Sequence, residues 1–206
     1  MRRFLPVLPL LALTACTPTE RPTAGPVAIA SAWHTVATTQ DRRRLRDWRP
    51  SFVEGLRQAR AAGHGAEIDR EGALLQPDAA LGGGIPNGNY RCRMTKLGAR
   101  GAGMLPYIAY PSFACRIDQN GRLQQFAKLT GSQRQVGSIF AHDRLRSVFL
   151  GTLVLGDEQK ALPYGADGDR DLAGWVERIG ERRWRLVIPS PRFESLTDVV
   201  ELVPQN

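Results

Sequence analysis

The sequence predicts a mainly β fold with an N-terminal helix (α+β): a small antiparallel up-and-down β-barrel of about eight strands, the alternative being an open twisted sheet or sandwich. Three observations carry this. From Asn89 onward, short runs with period-2 alternation cover 90–96, 108–117, 123–129, 136–141, 146–155, 174–179, 183–188 and 199–203. Turn residues separate most of these runs, with Asn120-Gly121 the strongest hairpin signal. Ahead of them lies one segment of helical period. A meander of short strands gains by closing on itself, because closure removes the edges.

Residues 39–62 read as the helix. Leu45, Trp48, Phe52, Leu56 and Ala59 fall on one face. Thr38, Thr39 and Asp41 are N-cap candidates, and Gly63 can end the helix. Pro50 predicts a kink or break near Arg49. Arg42, Arg43, Arg44 and Arg46 form a basic run, read as a solvated face ahead of a lipid contact. Residues 63–88 show little periodicity and read as a loop region, ending in the Gly-rich stretch 81–89. Tyr90, Phe113, Trp175 and Trp184 are expected to point into the barrel. With Arg134, which sits in a polar turn, they are the candidate ligand-binding residues.

The first residues carry an address. Arg2 and Arg3 precede an apolar stretch too short to span a bilayer, which needs about 20 residues. This is the pattern of a secretory leader over residues 1–15. Leu13-Thr14-Ala15-Cys16 resembles the lipobox of bacterial lipoproteins. The resemblance implies acylation of Cys16, cleavage just before it, and a membrane partner through the attached lipid. Thr17 in place of an aspartate implies the outer membrane, facing the periplasm, ahead of the inner. Residues 16–38, with scattered Pro, Thr and Ala, read as a lipidated tether, and 39–206 as one domain, with 89–206 its barrel-like part.

With Cys16 acylated, Cys92 and Cys115 remain. An even pair in an oxidising compartment reads as one disulfide, the alternative being two buried thiols. Both lie on the apolar side of their strands.

The formal net charge is +8, and two of those charges, Arg2 and Arg3, leave with the leader. Among the basic residues only Lys96, Lys128 and Lys160 are lysines. The address argues against nucleic acid, so an anionic envelope polymer or lipid surface is the polyanion to consider.

Signals for chemistry are weak. Asp167, Asp169 and Asp171 begin like a calcium loop, but Leu172 stands at the glycine position and Arg178 at the final ligand. Ser132 with His142 and Asp143 is a thin case for a nucleophile and base. No metal site or cofactor is expected, no catalytic residue is assigned, and the reading leans against an enzyme.

The strings YRCRMTKLG, FACRI, KLTGSQR, YGADGDRDLAGWVERIG, RWRLVIP and ESLTDVVELVP together resemble a family of Gram-negative bacterial envelope proteins known only as a domain of unknown function. The resemblance covers roughly 33–205 and implies an envelope domain. It transfers no activity, substrate or catalytic residue. The expected function is a non-enzymatic binding module for a small apolar or lipid-like ligand. The alternative is a structural or interaction protein with a filled barrel and an acidic partner, and a hydrolase comes third.

Overall fold

Alternation along each strand sets the architecture, because every strand must satisfy two different environments. A computed structural model describes Met1 and residues 32–205. Cys16, the remainder of the leader and the tether up to residue 31 lie outside the described residues. Eight antiparallel strands follow one another: β1 (Gly88–Ala99), β2 (Tyr107–Asn120), β3 (Leu123–Lys128), β4 (Gln133–Ala141), β5 (Arg146–Leu155), β6 (Asp171–Gly180), β7 (Arg183–Pro189) and β8 (Ser195–Pro204). Each pairs with the next, and β8 pairs back onto β1, with Cys92 opposite Leu202, so the barrel is closed.

Ahead of the barrel lie α1 (Ala32–Val36), α2 (Thr39–Arg46), α3 (Trp48–Ala61), α4 (Gly65–Glu71) and a 3-10 turn (Gly72–Leu75). Thr38 caps α2 by accepting a hydrogen bond from the Asp41 amide at 3.1 Å. The predicted break falls at Asp47, between α2 and α3. That places Pro50 in the first turn of α3, where its missing N–H has no intrahelical acceptor to lose. The predicted face holds: Leu45, Trp48, Phe52 and Ala59 are buried and Leu56 packs beside them.

These helices cover the outer wall and not an end of the barrel. Outward side chains such as Leu97, Val148, Leu150, Ala173, Trp175, Val187 and Val199 form one core with them. Inward side chains form a second core, with Tyr90, Ile117, Phe126, Phe149, Trp184, Leu186, Ile188 and Leu202 among its members. Gly137 and Gly151 face each other across β4 and β5. A Cβ on either would lie 2.8 or 2.5 Å from the Phe149 ring, so this glycine pair makes the room that the ring fills.

Three readings are corrected. Trp33, placed in the tether, is buried in the outer core, so folded structure begins before residue 39. Residues 63–88 are not all loop, since α4 and the 3-10 turn lie within them; α4 buries only Ile68, too little for a period to register. Trp175 faces outward, its indole N–H donating to the Leu45 carbonyl at 3.0 Å. The barrel interior, which the sequence leaves open between filled and hollow, is largely filled.

Cys92 and Cys115 form a disulfide between β1 and β2, with Cα atoms 5.8 Å apart. They occupy diagonal positions, Cys92 opposite Phe113 and Cys115 opposite Tyr90. The basic composition is spent partly on structure. Arg185, fully buried on the outer wall, donates to Glu177 and to the carbonyls of Ala73, Leu74 and Gln76, fastening the 3-10 turn to β7.

Candidate functional site: the open barrel mouth

An up-and-down meander brings the ends of odd strands and the starts of even strands to one end of the barrel. The two ends are built differently. At one, the segment before β1 folds over the opening and buries Ile85 beneath it. Tyr90 donates its hydroxyl to Pro86 O at 2.6 Å, and the Trp184 indole donates to Gly84 O at 3.1 Å. Gln124 donates to Ile85 O at 2.8 Å. Burial raises the Tyr90 phenol to about 12, and the two rings meet edge to face at 6.5 Å. This end is shut.

The other end is open. A cleft of about 380 Å³ enters there, lined by Met94, Lys96, Tyr110, Phe113, Lys128, Gln133, Gln135 and Glu194 among others. Its polar groups arrive on the inward positions of strand ends. Phe126 and Lys128 share one side of β3, and Gln135 shares a side with Ile139 on β4.

Two lysines reach into this mouth in unlike states. Lys96 is neutralised, with Nζ 3.0 Å from a Glu194 oxygen and 3.5 Å from an Asp198 oxygen. Burial pulls its pKa down, but Asp198 and Glu194 outweigh that and hold it above the ordinary value. Burial in turn raises Asp198, against the pull of Lys96. Lys128 pairs with no carboxylate among the described residues. Its ammonium donates to Gln133 O at 2.7 Å and lies 3.7 Å from the centroid of the Phe113 ring. Burial, with Arg134 and Lys96 as neighbouring cations, pushes its pKa down to about 8. Gln135 is 2 % exposed, and its Oε1 has no hydrogen-bond partner among the described residues. The other buried oxygens without partners, Thr95 Oγ1 and Thr152 Oγ1, sit on outward positions away from the cleft.

Of the five candidate ligand residues, the mouth gathers one, Phe113. Tyr90 and Trp184 plug the shut end, and Trp175 lies outside under the helices. Arg134 faces outward and donates to Gly131 O, Gly156 O and Glu158 O at 3.2, 2.7 and 2.6 Å, bracing two mouth loops against each other. Ser132 and His142 lie beyond opposite ends of β4, roughly 30 Å apart along an extended strand, and cannot act on one bond. The three aspartates of 167–171 diverge. Asp167 meets Arg170, Asp169 meets Arg192, and Asp171 accepts from the Gly165 amide. No cluster with metal-ligand composition occurs among the described residues.

The residues missed were Lys96, Tyr110, Lys128, Gln133, Gln135 and Glu194. A signal was available: polar side chains on the inward parity of strand ends that a meander must bring together.

Over residues 33–202 the chain matches the model of a family described as Domain of unknown function (DUF4893). No curated protein and no solved structure matches it.

Proposed function

We propose, for a chain that belongs to the DUF4893 family, a lipid-anchored module of the cell envelope that binds a small ligand at the open barrel mouth without transforming it. The observation that carries the binding is the convergence of buried polar groups, Lys96, Lys128 and Gln135, on the cleft at the end of the barrel that no plug covers. Its volume, about 380 Å³, lies at the small end of ligand sites. It suits a head group or a short molecule better than a buried acyl chain, which narrows the apolar ligand expected from sequence. The leader and Cys16 support the anchor, and Thr17 supports the outer membrane.

Native and denaturing mass spectra of protein extracted gently from its own membrane test this. The expected result is an added mass that denaturation removes and that Gly131→Leu, which fills the mouth, prevents. Extracted protein without added mass would count against it. Cys16→Ser should move the protein out of the detergent phase.

A second reading has its own observation. Arg43, Arg44, Arg100 and Arg192 border a groove of about 410 Å³ between α2 and the β7–β8 connection. This favours an acidic envelope partner for the outer surface. Asp47 and Asp169 line the same groove and offset part of its charge, which is why the mouth comes first.

A further inference from the structure

We propose that the mouth selects a small organic monoanion, a carboxylate or phosphate with a hydroxyl or N–H donor beside its charged group, the anion resting on Lys128 and the donor on Gln135 Oε1. This rests on the reading of the mouth as a binding site and names the class of ligand.

Lys128 and Gln135 both line the cleft, and each carries an unfinished group. Lys128 has three N–H donors, and one is spent on Gln133 O. Lys128 is 4 % exposed and has no carboxylate partner among the described residues, so its ammonium carries a desolvation cost that an anion would relieve. The arrangement holds it there. A Cβ at Gly131 would come within 2.8 Å of Lys128 Nζ and 3.0 Å of the Phe113 ring, so the loop needs glycine to close over both. At Gly131 φ is 90°, which also favours glycine.

Gln135 Oε1 supplies the second requirement. A buried amide oxygen only accepts, so it repels a bare carboxylate and is satisfied by an N–H or O–H. Lys96 supplies the limit on charge. It is already held by Glu194 and Asp198, and these carboxylates oppose a second negative charge in the mouth. Met94, Tyr110 and Phe113 offer apolar contact for the body of the ligand. A free small acid and the head group of an acylated one share this chemistry.

Calorimetry on the full chain in nanodiscs tests the proposal with N-acetylalanine, its methyl ester and propionate. N-acetylalanine carries anion and donor, the ester lacks the anion, and propionate lacks the donor. The acid should bind at least tenfold tighter than either, since each missing partner leaves a buried group unsatisfied; about 1.4 kcal/mol is tenfold. Lys128→Met should abolish the preference for acid over ester, Lys128→Arg should retain it, and Gln135→Leu should bring N-acetylalanine down to propionate. Affinity for the acid should fall between pH 7 and pH 9 as Lys128 loses its proton, and stay level in Lys128→Arg. The groups facing Lys128 are the cations Arg134 and Lys96, with Glu194 and Asp198 across Lys96. N-lauroylalanine separates the sources: tighter binding than N-acetylalanine assigns a lipid head group, and equal binding assigns a free acid. Equal affinity for acid and ester, unchanged binding by Lys128→Met, or no binding of any probe would overturn the class of ligand. A removable added mass on the extracted protein would then still uphold the mouth, which separates the two failures.

Discussion

The two ends of the barrel are made from the same strands and finished by opposite chemistry. At the shut end, Tyr90 and Trp184 place their polar atoms on the carbonyls of Pro86 and Gly84, and Ile85 fills the space between. At the open end, Lys128 lacks a counter-ion and Gln135 Oε1 lacks a donor among the described residues. Folding alone selects the first arrangement, since buried polar groups are costly unless partnered. The second lowers stability and persists where something outside the chain completes it. The shut end should therefore be read as support and the mouth as the working end.

The largest effect expected on this contrast comes from the plug. Trp184→Ala should cost about 3–5 kcal/mol, as a buried aromatic leaves a cavity and the Gly84 carbonyl loses its donor. Phe113→Ala, at the half-buried lip of the mouth, should cost clearly less in the same urea titration. Equal losses would remove the distinction between the ends.

The disulfide comes next. Cys92 and Cys115 lie 23 residues apart in sequence and link β1 to β2, and replacing both with alanine should cost about 3 kcal/mol in the chain-entropy model. The loss should appear as a lower urea midpoint. Ligand binding should survive in the folded fraction, because neither sulfur lines the mouth.

Gln135→Leu should change stability in the other direction. Removing a buried acceptor without a partner should stabilise the fold by about 1 kcal/mol, while the preference for an N–H-bearing ligand is lost. A stabilising substitution that weakens binding is the mark of a site held against the interest of the fold. Lower stability would mean that Gln135 is an ordinary packed residue.

Sequence disclosed the strands well, because alternation and turn chemistry are local. It disclosed direction poorly, because a closed barrel with helices outside buries both faces of β6 and β7. Trp175 and Trp184 then look alike in sequence although one faces α2 and the other the barrel axis. Period 2 separates two faces and does not say which is inside. Trp33 had no periodic company, and nothing local in the sequence marks Arg185 as buried, because the 3-10 turn that closes over it lies about 110 residues earlier in the chain. The mouth was hidden for a related reason. Lys96, Lys128 and Gln135 come from three strands and meet only when register and closure are fixed.

The smallest effect lies at the shut end, on the outside of the wall, and it depends on pH. The Trp33 indole donates to His142 Nδ1 at 3.1 Å, which ties α1 to the end of β4. That nitrogen must be unprotonated to accept. Burial lowers the His142 pKa, Asp143 opposes this, and His34 and Arg146 add to it. A base with a depressed folded pKa stabilises the fold fully above its unfolded value, about 6.5, and loses that contribution as pH falls through the lower folded value. Acidification should therefore loosen the collar around Trp33 before it disturbs the barrel. The hydrogen-exchange protection factor of the Ala37 amide, which donates to Trp33 O, should fall below about pH 6.5, while those of the β7 and β8 amides hold. His142→Phe should flatten that dependence at a cost of about 1 kcal/mol. The mouth should respond over a different range, near the Lys128 pKa of about 8. Two separate pH responses, one for each end, would follow from the way each was finished, and a single shared transition would show that the ends are coupled.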